Sequence, residues 1–121
     1  MTARKGEKMR NPNFPLEHYC IASQLDYMIH RPGAFFGRKE YSFKEVIAYL
    51  NGFAVAQNIY SDKDERNYIS LVKEELAKKY KFEPNIHILD LFDLICENDS
   101  EKVNLLLDLL CKIYNYERRF E

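Results

Sequence analysis

The sequence is poor in glycine, with four glycines in 121 residues and none after Gly52. The loops that wrap phosphate groups in nucleotide-binding proteins depend on closely spaced glycines, whose backbone can approach the ligand. Such loops are therefore excluded from the second half of the chain. Tryptophan is also absent, whereas tyrosine is abundant, with nine residues. Tyrosine is enriched at protein interfaces, where it offers both an apolar ring and a hydroxyl.

Cysteine is scarce and irregularly spaced. Cys20, Cys96 and Cys111 are odd in number, and no CxxC pair is present. Neither a disulfide framework nor a paired-cysteine zinc site is indicated, and a reduced cytoplasmic protein is the simplest interpretation. No apolar segment is long enough to cross a bilayer, and the basic N-terminus is not followed by the apolar stretch of a secretory signal. We therefore expect a cytoplasmic protein without a membrane partner.

Charge is nearly balanced overall but unevenly distributed. The net charge is −1, which gives no general argument for binding to nucleic acid or to an anionic membrane. Residues 1–13 carry four basic side chains against Glu7, so this segment is +3 and the remainder is −4. We expect residues 1–13 to form a mobile basic tail, which meets either solvent alone or a phosphate-bearing partner. Residues 14–121 are expected to fold as a single helical domain.

Apolar residues recur at helical spacing along most of the chain. No segment shows the sustained alternation that is typical of a β-strand. The pattern predicts an all-α fold, a compact irregular bundle of about five helices joined by short loops. The predicted helices begin at Leu16, behind Ser42, behind the turn at residues 61–64, behind Asn85 and behind the break at residues 98–100.

The clearest local signal lies at the start of the second predicted helix. Ser42 and Glu45 have the spacing of a capping box, in which each side chain accepts a hydrogen bond from the backbone N–H of the other residue. Gly52 lies inside the same helix, where glycine costs about 1 kcal/mol relative to alanine. The close approach of a neighbouring helix would explain why glycine is found there.

Residues 31–37 form the most distinctive segment, RPGAFFG in one-letter code. Pro32 disfavours helical backbone at Arg31, so the first helix is expected to stop just before it. Gly33 and Gly37 permit a tight loop, and the two phenylalanines are expected to plug the core. The spacing also resembles a segment beside the ATP site of gyrase-B-type ATPases, but those enzymes need a further glycine-rich loop that this chain lacks. We therefore interpret the segment as a structural loop.

The sequence carries no recognisable catalytic or metal-binding motif. Its histidines, His18, His30 and His87, do not form an HExxH pattern. A nucleophile elbow is missing, as is a strand that would carry one. We expect no catalytic residue, no metal site and no cofactor; an enzyme whose groups meet only in the folded state is the third-ranked alternative.

Two groups of acidic residues are candidates for contact with a basic partner. One has the spacing i, i+3 and i+7 of a single helix face. The other crowds a predicted helix start, where carboxylates also favour the helix dipole. The first group is Asp90, Asp93 and Glu97, and the second is Asp62, Asp64 and Glu65. The alternative interpretation of both groups is an ordinary solvated surface.

Residues 25–37, followed by Ser42 and by the LNGF sequence at residues 50–53, resemble a group of small bacterial proteins. In that group an apolar helix runs into an RPG segment with a second glycine four residues later, and a capped helix with a glycine–aromatic pair follows. The later part of the chain also fits, with an acidic turn at residues 97–101 before a leucine-rich final helix. The group is identified with the immunity proteins of polymorphic toxin and contact-dependent growth inhibition systems.

The resemblance implies a cytoplasmic, non-enzymatic antitoxin that binds one cognate toxin C-terminal domain, often a nuclease, and covers its active or docking site. Toxins that act on nucleic acid tend to be basic, so the two acidic groups are the expected toxin-binding residues. The alternative is a small helical regulator or adaptor that contacts nucleic acid through its basic tail. A direct nucleic-acid partner is not expected under the first hypothesis, and the oligomeric state is left open.

Overall fold

The computed structural model describes residues 20–119, and within that range the chain forms six helices and no strand. The helices are α1 Ile21–His30, α2 Pro32–Phe36, α3 Phe43–Ser61, α4 Tyr68–Ala77, α5 Ile88–Ile95 and α6 Asp99–Tyr114. The predicted all-α bundle is confirmed. The predicted tail at residues 1–13 and the predicted helix start at Leu16 lie outside the described residues.

Helix α6 lies at the centre of the bundle, in contact with α1, α3 and α4. It presents a buried stripe at the spacing of one helix face, formed by Val103, Leu106, Leu107 and Leu110. Helix α1 also packs against α3 and the short α2. The rings of Phe43 on α3 and Phe92 on α5 stack with their centroids 4.7 Å apart, which attaches α5 to the core.

The predicted capping box at the start of α3 is confirmed, and α6 begins at Asp99 behind a cap that was not predicted. The Ser42 hydroxyl accepts the N–H of Glu45 at 3.1 Å, and the Glu45 carboxylate accepts the N–H of Ser42 at 3.0 Å, which completes the capping box. At the start of α6, the Asn98 side chain accepts the N–H of Glu101 at 2.9 Å. Both helix boundaries follow from local chemistry that the sequence displays.

The predicted helix start at residues 61–64 is wrong. Ser61 still belongs to α3, and Asp62 ends that helix in the left-handed region with φ of 59°. Helix α4 begins only at Tyr68. A long-range contact explains the delay, because the Glu65 carboxylate accepts the N–H of Ile21 at 3.0 Å and is therefore turned towards α1.

The predicted cap at Asn85 is also wrong. Helix α5 is capped by His87, whose Nδ1 accepts the N–H of Leu89 at 3.2 Å. The Lys73 ammonium on α4 donates to the carbonyl oxygens of Pro84 and Ile86, each at 2.8 Å. These two bonds hold the connection in a non-helical path and move the helix start beyond Asn85.

Residues 31–37 contain a short helix that the sequence did not predict. Pro32 occupies its first position, where proline is well suited because its missing N–H has no intrahelical partner. Gly37 ends the helix at φ of 70° and donates its N–H to the carbonyl of Gly33 at 3.0 Å. Gly37 therefore shapes the segment as expected, whereas Gly33 lies within helical backbone and its predicted role in a tight loop is wrong.

The aromatic side chains of α2 pack against the core from its edge, so the prediction that they plug it is confirmed only in part. Phe35 and Phe36 are half-buried. The Phe35 ring meets Tyr27 and Tyr49 edge-on, with centroid distances of 5.5 and 5.1 Å, and Phe36 stacks on Tyr41 at 5.1 Å. This aromatic layer fixes α2 between α1 and α3.

Gly52 lies on the exposed side of α3. A Cβ atom built at this position would have no neighbour within 4 Å. The predicted close approach of a neighbouring helix is therefore wrong for the helices of residues 20–119. The glycine leaves a shallow depression in the surface of α3.

Candidate functional site

The exposed side of α5, the connection from α5 to α6 and the first turn of α6 form an acidic surface that we name the acidic corner. It consists of five exposed carboxylates, those of Asp90, Asp93, Glu97, Asp99 and Glu101. The ammonium of Lys102 lies among them, bonded to Asp93 and 3.9 Å from Asp99. Lys39 lines a surface cavity together with Asp99, but the five carboxylates outnumber these two ammonium groups, so the corner has a negative potential that attracts basic surfaces.

Leu94 stands within the acidic corner and is 74% exposed. Helix α5 holds to the core through other residues, since Leu91 and Phe92 are fully buried. Asp90 lies one helical turn before Leu94 on the same side of α5, and Asp93 precedes it directly. A single exposed leucine is ordinary, but a leucine surrounded by charge has the arrangement of an interface, with an apolar centre and a polar rim.

The predicted placement of Glu97 on the helix face of Asp90 and Asp93 is wrong, because α5 ends at Ile95 and Cys96 is extended. Glu97 instead lies in the α5–α6 connection, where its N–H donates to the Glu101 carboxylate at 2.7 Å. This bond keeps both residues at the corner. Asp90 and Asp93 thus lie on the exposed side of α5, with Asp90 in its first turn, and Glu97 follows in the connection to α6.

Two titratable groups at the corner, Lys102 and Cys96, have pKa values shifted by their surroundings. The hydrogen bond to Asp93 raises the pKa of Lys102, so its ammonium stays charged. Burial, together with the negative charge of Glu101, raises the pKa of the Cys96 thiol. A thiol with a raised pKa is a poor nucleophile at neutral pH. The arrangement can attract and hold a basic surface, and it supplies no activated thiol.

The second predicted group is divided by the structure. Asp62 is exposed at the end of α3. Asp64 is also exposed, but it binds Arg66 through two contacts of 2.9 Å, from Nε to Oδ1 and from Nη2 to Oδ2. These hydrogen bonds lower the pKa of Asp64 to about 2, and the guanidinium largely neutralises its charge.

Glu65 is 2% exposed, so its predicted place on an exposed acidic surface is wrong. Its carboxylate accepts the N–H of Ile21, the first residue of α1, and therefore satisfies a donor that no intrahelical acceptor reaches. Burial raises the pKa of Glu65, and the bond from Ile21 partly opposes that effect. The role of this side chain is to join the α3–α4 connection to α1.

Three members of the corner were not predicted as site residues: Leu94, Asp99 and Glu101. Asp99 and Glu101 follow the Asn98 cap in the first turn of α6, and recognising that cap in the sequence would have placed them beside Glu97. Leu94 resembled the core residues around it, and only the orientation of α5 on the bundle shows that it is exposed. Asp62 and Asp64 lie in a different connection, between α3 and α4.

Residues 20–119 contain no group of three or more His, Cys, Asp or Glu side chains placed to hold a metal ion. Over the same range, none of the helices combines the length and the apolar character needed to span a membrane. Comparison of the chain with protein-family models, with curated proteins and with solved structures finds no match.

Proposed function

We propose that this protein is an immunity protein, which binds a cognate bacterial toxin domain and neutralises it by covering its active or docking site. The resemblance of residues 25–53 to such proteins supports the proposal at the level of sequence. The observation that carries it is the acidic corner with the exposed Leu94. A nuclease toxin has a basic surface because it must bind phosphate groups, and such a surface is complementary to the corner.

The corner has two roles in this mechanism. Its carboxylates steer the basic toxin towards the correct face and accelerate association. Leu94 then enters an apolar depression on the toxin, where water exclusion strengthens the surrounding ion pairs. A standard interface buries about 800 Å² on each partner, so neighbouring residues of α5 and α6 also take part.

The first test is genetic. The gene is deleted together with the neighbouring toxin domain, the strain is grown beside its parent, and the gene alone is then restored from a plasmid. We expect the deletion strain to be killed or arrested, and the plasmid to rescue it. Equal growth beside a parent that demonstrably delivers its toxin would refute the immunity function and favour a regulator or adaptor.

The second test is quantitative and uses the purified pair. Asp90→Lys reverses one charge of the corner, and Leu94→Glu removes the apolar centre. We expect Asp90→Lys to slow association at least tenfold at low salt, with a smaller effect at high salt. Leu94→Glu is expected to accelerate dissociation. Glu74→Lys makes the same charge change at an exposed position on α4 and serves as the control.

The comparison of the variants decides where the partner binds. An effect of Glu74→Lys as large as that of Asp90→Lys would show that only net charge matters, and the corner would lose its assigned role. Unchanged kinetics for both Asp90→Lys and Leu94→Glu would place the contact surface elsewhere on the molecule.

A further inference from the structure

Helix α3 has an exposed apolar face that is separate from the acidic corner. Residues 46–61 contain no charged side chain, although 31% of the whole chain is charged. One side of the helix is buried in the bundle, and the other side is exposed and uncharged, with Asn51 and Ser61 as its exposed polar residues. Large apolar side chains on the exposed side of a helix are candidates for contact with a partner. We name the surface formed by six exposed residues of this helix the α3 face: Ala48, Gly52, Val55, Ala56, Ile59 and Tyr60.

Three of these residues are large and strongly exposed. Val55 is 50% exposed, Ile59 is 65% exposed and Tyr60 is 86% exposed. The other three are small and lie one helical turn apart, so they form a shallow groove with Gly52 at its centre. With no atom within 4 Å of a Cβ at Gly52, the groove is open. The first half of the face therefore holds only small residues, and all three large residues lie in its second half.

We propose that the α3 face binds a second copy of this chain through an antiparallel, two-fold symmetric contact. Such a contact is self-complementary, because each residue pair occurs twice. A register centred on Ala54 places Tyr60 of one copy over Ala48 of the other and Ala56 over Gly52. Tyr60 of each copy then lies on the small Ala48 of its partner, and the pairs of Ala56 with Gly52 let the helix backbones approach closely.

The charge distribution around the α3 face also favours a second copy of this chain as the partner. The α3 face carries no charge, so two copies meet without like-charge repulsion. At its rim, Lys44 lies in the first turn of α3 and Asp62 directly follows the last turn. The antiparallel arrangement brings each Lys44 towards the opposite Asp62. The net charge of −1 adds little long-range repulsion between the copies.

The size of the face predicts a weak dimer. The six side chains expose roughly 450 Å² per copy, so two copies bury about 900 Å² together. This area lies below that of most stable complexes and is typical of a transient one. We expect a dissociation constant of about 10–100 μM.

The test is sedimentation equilibrium of the full chain over a range that extends to about ten times the expected dissociation constant. We expect the mass to rise from 14.5 kDa towards twice that value. Ile59→Glu places a charge on the face and is expected to weaken the dimer at least tenfold. Leu94→Glu, at a similarly exposed leucine on α5, is the matched control and should leave the dimer unchanged.

Gly52→Leu separates dimerisation from folding. Leucine is the better helix former, so the monomer should unfold at the same temperature or higher when diluted. The same side chain fills the groove, and we expect it to weaken the dimer at least tenfold. A chain that stays monomeric throughout the range, or a dimer that tolerates both Ile59→Glu and Gly52→Leu, would overturn the proposal.

The dimer proposal is independent of the immunity function. Ile59→Glu is expected to leave toxin binding unchanged, whereas Leu94→Glu is expected to impair it. A variant that loses the dimer but still binds the toxin shows that the α3 face serves dimerisation alone. A variant that loses toxin binding but still dimerises shows that the acidic corner serves toxin binding alone.

Discussion

Asp26 is a fully buried carboxylate that joins the beginning of the described chain to its end. Its Oδ2 accepts the hydroxyl of Tyr116 and the N–H of Arg119, each at 2.9 Å. The His30 ring lies one turn further along α1, with Nδ1 3.6 Å from the other carboxylate oxygen. Because the bonded residues are about ninety positions apart, this contact fixes the segment after α6 against α1.

Asp26→Ala is expected to destabilise the fold by about 2–4 kcal/mol, because one buried and one part-buried donor lose their acceptor. Tyr116→Phe removes only one of the two bonds and should cost about 1 kcal/mol. Urea unfolding measures both values. Asp108→Ala, at an exposed carboxylate of α6, is the control and should cost less than about 0.5 kcal/mol. A loss for Asp26→Ala no larger than that for Tyr116→Phe would contradict this account.

Glu65 provides a pH-dependent prediction. Burial raises its pKa, so the folded state favours the protonated carboxyl. The stability associated with this group is therefore fully present below the unfolded-state pKa of about 4.3 and falls as the pH rises through the folded-state value. Glu65→Gln removes the cost of burying the charge and keeps an oxygen that accepts the N–H of Ile21.

The expected result is that Glu65→Gln gains stability relative to the wild type when the pH rises from about 4 to 7. This gain in the free energy of unfolding between the two pH values should exceed the roughly 0.5 kcal/mol that surface substitutions produce. Chemical unfolding at the two pH values measures it, and Glu74→Gln at an exposed site is the control. A difference between the two proteins that does not change with pH would show that Glu65 titrates normally.

At the scale of the helices, a helix boundary could be predicted from the sequence only when the contacts that set it are local in the chain. The cap at Ser42 was predicted because its donor and acceptor lie three residues apart; the cap at Asn98 has the same spacing but was not recognised. The start of α4 was not readable, since Glu65 is held by Ile21 on a distant helix. The start of α5 was missed for the same reason, because Lys73 on α4 holds the preceding connection.

Ser42→Ala and Asn98→Ala should each destabilise the protein by about 1 kcal/mol, because each removes a side-chain acceptor from a helix N-terminus. Thermal or urea unfolding measures the effect. Ser70→Ala, at an exposed position inside α4, is the matched control. It should be neutral or slightly stabilising, since alanine is the better helix former there. Equal effects at Ser42 and Ser70 would show that the capping box contributes nothing.

Gly52→Ala tests the unexplained glycine of α3. An added methyl group meets no neighbour within 4 Å, and alanine favours helical backbone by up to about 1 kcal/mol. We expect a stabilisation of that size in dilute solution, where the proposed dimer is dissociated. A destabilised Gly52→Ala variant would mean that the position is more confined than the described helices indicate.

At the scale of the whole molecule, the two candidate surfaces differ in how far the sequence revealed them. Carboxylates are conspicuous in a sequence, and Asp90 and Asp93 were identified from helical spacing alone. Exposure of an apolar residue is a tertiary property, so Leu94 and Ile59 were indistinguishable from core residues. The distinction required the orientation of α5 and α3 on the bundle, which no local pattern encodes.

The burial of tyrosine and cysteine side chains in the bundle also limits the stability of the fold at alkaline pH. Burial raises the pKa of Tyr114 to about 12 and of the Cys111 thiol to about 11. The pKa values of Tyr68 and Tyr116 are raised as well, mainly by burial. In each case the folded state holds the proton more tightly than the unfolded state. The corresponding stability is present below the unfolded-state values, about 8.5 for Cys and about 10 for Tyr, and is lost as the pH rises through the folded-state values.

We therefore expect cooperative unfolding above a pH of about 10, accompanied by delayed ionisation of the buried tyrosines. Near-ultraviolet absorbance of tyrosinate and far-ultraviolet circular dichroism, recorded in one titration, measure both events. Tyr68→Phe removes the most deeply buried phenol and also its 2.7 Å hydrogen bond to Asn51. In this variant the unfolded fraction should rise less steeply with pH than in the wild type. Tyr60→Phe changes a phenol that is 86% exposed and should leave the steepness unaltered. Ionisation of all tyrosines in a single step near 10, with the helical signal intact, would mean that these phenols are hydrated in solution and that the core around α6 is looser than its packing indicates.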